Sequence, residues 1–497
     1  MMSSKSEKHY TTRNMIGLML GPALFALAYF LIPESILAYE PRIVLGVTLL
    51  VATYWVTEPI PLAATSLIPL VLIPAFYGAG IETIAPAYAS PVIFMYGGGF
   101  VIALAIEKWN LHRRIALNII KMIGSESNRM ILGILIATAG ISMFVSNAAT
   151  ALMMLPVAVA LINEVQDKQI LEGENFKKFS KGILLTVAYS ATIGGLATLV
   201  AAVPNALLAG IASSQLDREV TFAEWFFFAG PVAIVMLVIL YFYLTKAQFK
   251  INKTEEKSGT MDFIKNELEE MGKFTADEMK VAAVFLITVI LWIVSPFIIS
   301  VPFIPEPVGL FFEGLHDGTI AMFGAVLLFL LPSSRKGERI LEWENMRDLP
   351  WGVLILFGGG MALAEAFGAS GLNDAIGDVL GLLEGLEYFF ILLLLVVFIL
   401  SLTEILSNTA VSNLVLPLTV GLGVAVGIDP LPLMAAAALA AGSCYMLPVA
   451  TPPNTAVFSA GYLNIGDMAK AGVWLNIISV IVITLAVYFW MPIVFSF

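Results

Sequence analysis

The chain has one cysteine and three histidines in 497 residues, and charged side chains make up only 13 % of it. A single thiol, Cys444, excludes a disulfide framework within the chain and reads as a small residue packed inside a helix. His9, His112 and His316 all fall at ends or in loops, so neither a histidine proton relay nor a histidine metal centre is expected. The triple-glycine runs at 97–99 and 358–360 are not followed by Lys-Ser or Lys-Thr, which excludes a phosphate loop and leaves close helix packing. An enzyme working inside a bilayer needs paired acids, a Ser-His couple or metal ligands at depth. Only Glu404 is clearly embedded in apolar sequence, so an enzyme is not expected, and neither is a nucleic-acid partner.

What the chain has in abundance is oil. Hydrophobic residues are 59 % of the total and the mean hydropathy is +0.91, more than a water-soluble core requires. The expected fold is an all-α polytopic membrane protein, embedded in the lipid bilayer of the plasma (inner) membrane. Spanning helices are predicted near 15–33, 42–57, 63–78, 91–107, 180–199 continuing to about 212, 229–246, 279–299, 318–332, 351–367, 431–460 (broken) and 471–494. The first fourteen residues are polar, and the apolar run after them is long enough for a retained helix. The net charge of −11 matters less than where Lys and Arg fall. With a cytoplasmic N-terminus, only Arg42 and Arg218 of the 26 Lys and Arg lie outside, and the C-terminus is outside. Glu58, in WVTEPIP, reads as an inner turn, and the charged stretch from Lys250 to Lys280 as a solvated or interfacial helix.

The chain also repeats itself at an offset of 261 residues. Gly97 maps to Gly358, Leu111 to Leu372, Ser146 to Ser407, Asn147 to Asn408 and Pro156 to Pro417 in one register. A polar break recurring in both halves of an apolar chain points to a transporter's binding site. Segments 130–145 and 149–163 flank Ser146-Asn147 and fall short of the ~20 residues needed to cross. The same holds for 388–406 and 410–427 around Ser407-Asn408-Thr409. Each pair is therefore expected to be a re-entrant hairpin, the first entering from inside and the second from outside. Unpaired backbone groups at membrane depth are tolerated only where they are buried or line a cavity. At such a tip a helix N-terminus favours an anion, while carbonyls and an Asn oxygen suit a small cation. Two further segments contain Pro204-Asn205 and Pro453-Asn454, and proline should unwind each helix just before it. The carbonyls freed near Ala201 and Ala450 are candidate Na⁺ ligands, because hard cations take oxygen donors. Glu404 sits one turn before the second tip, where charge is costly and either sets the potential for a cation or pairs with a neighbour.

These features resemble the divalent-anion:sodium symporter family over nearly the whole chain. The specific matches are Thr57-Glu58-Pro59-Ile60-Pro61, the two triple-glycine segments, the Ser-Asn tips, the Pro-Asn breaks and Ala450-Thr451-Pro452-Pro453-Asn454. The resemblance implies an inverted repeat of about 11 transmembrane helices plus two re-entrant hairpins, working as a homodimer by an elevator motion. It implies a scaffold over 1–125 and 279–386, transport regions over 126–250 and 387–497, and a cytoplasmic linker over 251–278. It also implies one Na⁺ site from Ser142, Ser146, Asn147 and the Ala201 carbonyl, and a second from Thr403, Leu406, Asn408 and Ala450. The substrate would be a small anion, a dicarboxylate above all, contacted by Asn147, Ala148, Ala202, Asn408, Thr409, Thr451 and Pro452. The first half departs from the family pattern, with Ala148 in place of a tip threonine and Ala201-Ala202 in place of Gly followed by Thr or Ser. Two hydroxyl donors are thus missing near one carboxylate, each worth roughly 1.5–3 kcal/mol to a charged group. The activity implied is Na⁺-coupled import of a carboxylate-type anion with no organic cofactor; an exchanger without net Na⁺ flux, or a carrier of sulfate or another small anion, has the same architecture.

Overall fold

The computed structural model describes residues 10–77, 80–124, 126–250, 258–299, 305–380 and 385–495. Among them no strand forms; the one β feature is an isolated bridge between Pro332 and Arg339. His9, residue 125 at the expected domain boundary and residues 251–257 of the expected linker lie outside the described residues.

The repeat is visible in the helix boundaries. Helix Ser127–Ser142 and helix Tyr388–Thr403 are both 16 residues long and start at matching positions of the two halves. Each stops four residues short of the next helix, at Met143–Ser146 and at Glu404–Ser407, and the chain restarts at Asn147 and Asn408. The first arms are as short as expected. The second arms are not, because Asn147–Asp167 has 21 residues and Asn408–Val426 has 19. Proline at 156 and at 417 lies inside these arms without ending them, since the neighbouring turns continue past each ring.

Other predicted spans are also redrawn by the backbone. Nine helices among the described residues are long and apolar enough to cross a membrane, or ten if one bent pair counts as a span, against the 11 expected. That pair, Pro307–Glu313 with Asp317–Leu330, turns through 90°. The segment expected over 63–78 breaks at Ser66-Leu67 into Leu62–Thr65 and Ile68–Tyr77. The segment expected from 180 begins earlier, at Gly173, and ends at Leu196; it resumes as Val203–Leu216. The segment expected over 431–460 divides into Pro430–Gly442 and Pro452–Phe458. Both Pro-Asn breaks therefore occur, and in both the proline sits at the start of the restarted helix, where its missing N–H costs nothing.

Glu58 is the left-handed cap after Tyr39–Thr57, at φ 51°, with its N–H bonded to the Tyr54 carbonyl. His112 lies in helix Leu111–Ile123, its Nδ1 3.2 Å from the Ile106 carbonyl, and burial lowers its pKa. His316 caps helix Asp317–Leu330 by accepting the Gly318 N–H at 2.9 Å. Helix Ser258–Glu270 falls in the charged stretch expected to be helical, and Glu267 pairs with Arg113.

Buried apolar side chains form two clusters. One gathers the first hairpin with Gly173–Leu196 and part of Ile465–Leu485. The larger one holds the second hairpin, Val203–Leu216, Pro430–Gly442 and the triple-glycine helices Pro91–Lys108 and Trp351–Ser370.

Candidate cation and anion site

At the first tip, Ser142 ends one helix and Asn147 begins the next. The Ser142 hydroxyl lies 3.0 Å from Asn147 Oδ1 and 2.7 Å from the Ala191 carbonyl. At the second tip, the Thr403 hydroxyl lies 2.8 Å from Asn408 Oδ1 and 3.1 Å from the Ala441 carbonyl. Each cluster thus brings three oxygens around one hydroxyl proton; the Ala191 carbonyl, inside helix Gly173–Leu196, also faces the helical N–H four residues on. An excess of lone pairs of this kind, half-buried at a helix end, is what a hard cation of Na⁺ type neutralises.

The carbonyl partners were not foreseen. The expected ligands Ala201 and Ala450 are buried in the unwound links, but the carbonyls bonded to the tip hydroxyls belong to Ala191 and Ala441. No side-chain signal marks a carbonyl in an apolar helix, so nothing in the sequence pointed to them. Gly195 gives the first tip its room, since a Cβ there would strike the Asn147 side chain.

The remaining candidates take these places. Ser146 caps the second arm by accepting the Ala149 N–H at 3.3 Å, and Ala148 is half-buried in the first turn beyond it. Leu406 and Thr409 are half-buried around the second tip, and the Thr409 carbonyl accepts Asn413 Nδ2 at 2.8 Å. Ala202 is the residue before the restarted helix Val203–Leu216 and supplies no side-chain cap. Its counterpart Thr451 caps Pro452–Phe458, accepting the Asn454 N–H at 3.3 Å, and Pro452 is exposed at the first position.

The restarted helices pack crosswise on the two hairpins. Helix Val203–Leu216, after the first break, lies along Asn408–Val426 of the second hairpin. Helix Pro452–Phe458, after the second break, lies along Asn147–Asp167 of the first. Leu196 at the first break also fills the space over Gly442 at the second. Helices of 21, 19 and 14 residues start at Asn147, Asn408 and Val203, and the positive end of each suits an anion.

Each link is tied to its own tip, by different chemistry. Thr198 Oγ1 donates to the Met143 carbonyl in the first half. In the second, the residue matching Met143 is Glu404, whose Oε1 accepts the N–H groups of Tyr445 at 2.9 Å and Met446 at 3.1 Å. Asn476 Nδ2 adds a third bond at 2.7 Å. Glu404 is thus paired with donors from two elements, the link and helix Ile465–Leu485.

The family profile described as the sodium:sulfate symporter transmembrane region matches residues 13–496. A sodium-dependent dicarboxylate transporter, SdcS, of Staphylococcus saprophyticus is 42 % identical over 494 residues, 99 % of this chain and 94 % of that one. The Staphylococcus aureus protein of the same name is also 42 % identical, over 495 residues, with the same coverage. Among solved structures, the Alcanivorax borkumensis YdaH transporter aligns with a TM-score of 0.57 at 15 % identity, covering 83 % of this chain and 87 % of that one. Neisseria gonorrhoeae MtrF aligns with a TM-score of 0.53 at 13 % identity, covering 82 % and 83 %; both likenesses concern the fold alone. With a profile match along almost its entire length and relatives this similar, the chain is a multi-pass membrane protein of the sodium:sulfate symporter family, a family of transporters and not of enzymes.

Proposed function

We propose that this protein is a Na⁺-coupled symporter that imports a C4-type dicarboxylate by an elevator motion. The observation that carries the reading is the matched pair of oxygen clusters, Ser142–Asn147–Ala191 and Thr403–Asn408–Ala441, each with three oxygens gathered around one hydroxyl. The names of the staphylococcal relatives support both the cation and the substrate class. One Na⁺ sits at each tip, with the Ala201 and Ala450 carbonyls completing the sites once the ions order the links. The carboxylates then contact Asn147, Asn408, Thr409 and Thr451, with Ala148, Ala202 and Pro452 lining the site. Cation binding offsets the substrate's charge, and coupling follows because the ions have different affinity for the loaded and empty states.

Both hairpins with their broken helices form the moving part, and the helices of 1–125 and 279–386 form the scaffold of a homodimer. Glycines support sliding at that seam: Gly360 faces Asn413, Gly210 faces Met361 and Gly99 faces Val200, so side chains of one part lie directly on glycine backbone of the other. The N-terminus is cytoplasmic and the C-terminus outside. Succinate uptake into proteoliposomes, with and without an inward Na⁺ gradient, tests the reading. Uptake should depend steeply on Na⁺; uptake indifferent to Na⁺ overturns the coupling, and strong stimulation by internal succinate at zero Na⁺ identifies an exchanger instead.

A further inference from the structure

Each break is followed by an asparagine to which the transport reading gives no role. Asn205 and Asn454 are both fully buried. Asn205 Nδ2 lies 3.2 Å from the Gly195 carbonyl, 3.1 Å from that of Leu196 and 2.8 Å from that of Thr198. These are carbonyls released where helix Gly173–Leu196 stops. Three acceptors around one NH₂ group settle which way the amide faces, because the reverse would press Oδ1 against three carbonyl oxygens. Asn454 Nδ2 likewise donates to the Leu447 carbonyl, at 3.0 Å, in the second link. In both residues Oδ1 is buried and has no hydrogen-bond partner among the described residues. An unpaired buried acceptor is costly, and both halves carry the same one.

The first asparagine also adjoins the tip. Gly195 is shared between them: the Asn147 side chain crowds its Cα, and Asn205 Nδ2 holds its carbonyl. The Leu196 carbonyl also accepts the Trp225 Nε1–H at 3.1 Å, but without the amide the carbonyls of Gly195 and Thr198 would attract a cation on their own account. We infer that Asn205 and Asn454 are positioning residues whose NH₂ groups stand permanently in place of a cation at the start of each break. The transported ion is thereby confined to the oxygens of the tip, where its binding is felt by the substrate. This inference rests on the reading of the tips as cation sites.

The two asparagines carry unequal loads. In the second link Thr455 Oγ1 bonds the Pro448 carbonyl at 2.6 Å and the Thr451 carbonyl at 3.2 Å, and Thr451 caps the helix. The matching residues of the first link are Ala206 and Ala202, which have no hydroxyl. Asn205 holds three carbonyls and Asn454 one, so the first should matter more.

The test uses the full-length protein in proteoliposomes, with Na⁺ and succinate as probes. Asn205→Leu keeps the approximate size and removes the donors; the Na⁺ half-saturation should rise about 10-fold, the equivalent of one to three lost hydrogen bonds. The succinate half-saturation at saturating Na⁺ should stay within about twofold, and Asn454→Leu should shift Na⁺ by only about threefold. A merely structural role lowers maximal uptake and leaves the Na⁺ half-saturation alone; that result, or wild-type behaviour, overturns the inference. Asn205→Asp supplies a second readout through equilibrium binding of radioactive Na⁺ to purified protein. A carboxyl facing those carbonyls should take up one more cation per chain than wild type, either Na⁺ or a proton, so Na⁺ binding and proton uptake are read together; a rise in neither overturns the inference. Wild-type uptake indifferent to Na⁺ would instead overturn the symport reading, while the ion count of the Asp variant still judges the asparagine.

Discussion

The two hairpins begin from the same plan and are secured differently. Their first arms are equal in length, their tip hydroxyls bond an asparagine and a helix carbonyl alike, and their Ser-Asn pairs are half-buried alike. Around that common centre the first half uses backbone oxygens and small residues: Thr198 bonds the Met143 carbonyl, Gly195 makes room, and Asn205 gathers three carbonyls. The second half uses side chains: Glu404 gathers backbone N–H groups, and Thr451 and Thr455 serve the link. Duplicated sites can therefore preserve their oxygen geometry while the supports diverge. On the proposed reading, the half with more side-chain hydroxyls holds a carboxylate directly, and the half with Ala148 and Ala202 mainly holds the ion.

The comparison breaks most visibly if a tip asparagine is dispensable. Asn408→Ala removes an oxygen from the cation cluster and an amide from the anion site, and should lower succinate uptake at least about 100-fold. Wild-type uptake would discard the site assignment. Glu404→Ala comes next, because it leaves the Tyr445 and Met446 N–H groups and the Asn476 amide unpaired in the interior. Thermal or chemical unfolding should register a loss of about 2–4 kcal/mol. Met143→Leu at the matching position should cost less than about 1.5 kcal/mol, since only its carbonyl is used. Equal losses at the two positions would show that the supports do not differ as described.

Gly195→Ala should push Asn147 aside, because the added methyl occupies its place. Na⁺-induced thermal stabilisation should fall by about 1–2 kcal/mol, the range of a strained tip contact. An unaffected response would mean that the first tip binds no ion. The smallest effect is expected from Ala148→Thr, which returns a hydroxyl to the first tip and makes the two tips more alike. Succinate half-saturation should fall about three- to tenfold if that hydroxyl reaches a carboxylate, the equivalent of about 1 kcal/mol. No change would place the substrate nearer the second tip alone.

Much of this site is legible in the residues themselves. Ser-Asn pairs inside apolar runs and prolines before asparagines are local features, and local features report where a helix must stop. The limits of that legibility are equally local. The second arms continue to 21 and 19 residues because prolines 156 and 417 are tolerated within packed helices, which hydropathy alone does not reveal. The Ala191 and Ala441 carbonyls carry no side-chain mark. The pairing of Glu404 depends on N–H groups about forty residues further along the chain.

The residue order alone settled that the chain is a duplicated helical membrane protein with two polar interruptions per half, because periodic apolarity, proline and serine-asparagine act within a few residues of themselves. Only folding in three dimensions decided which broken helix serves which hairpin. Val203–Leu216 lies on the second hairpin and Pro452–Phe458 on the first. That exchange comes from the fit of side chains into facing surfaces hundreds of residues apart, such as Leu196 over Gly442, and no local pattern encodes such a fit.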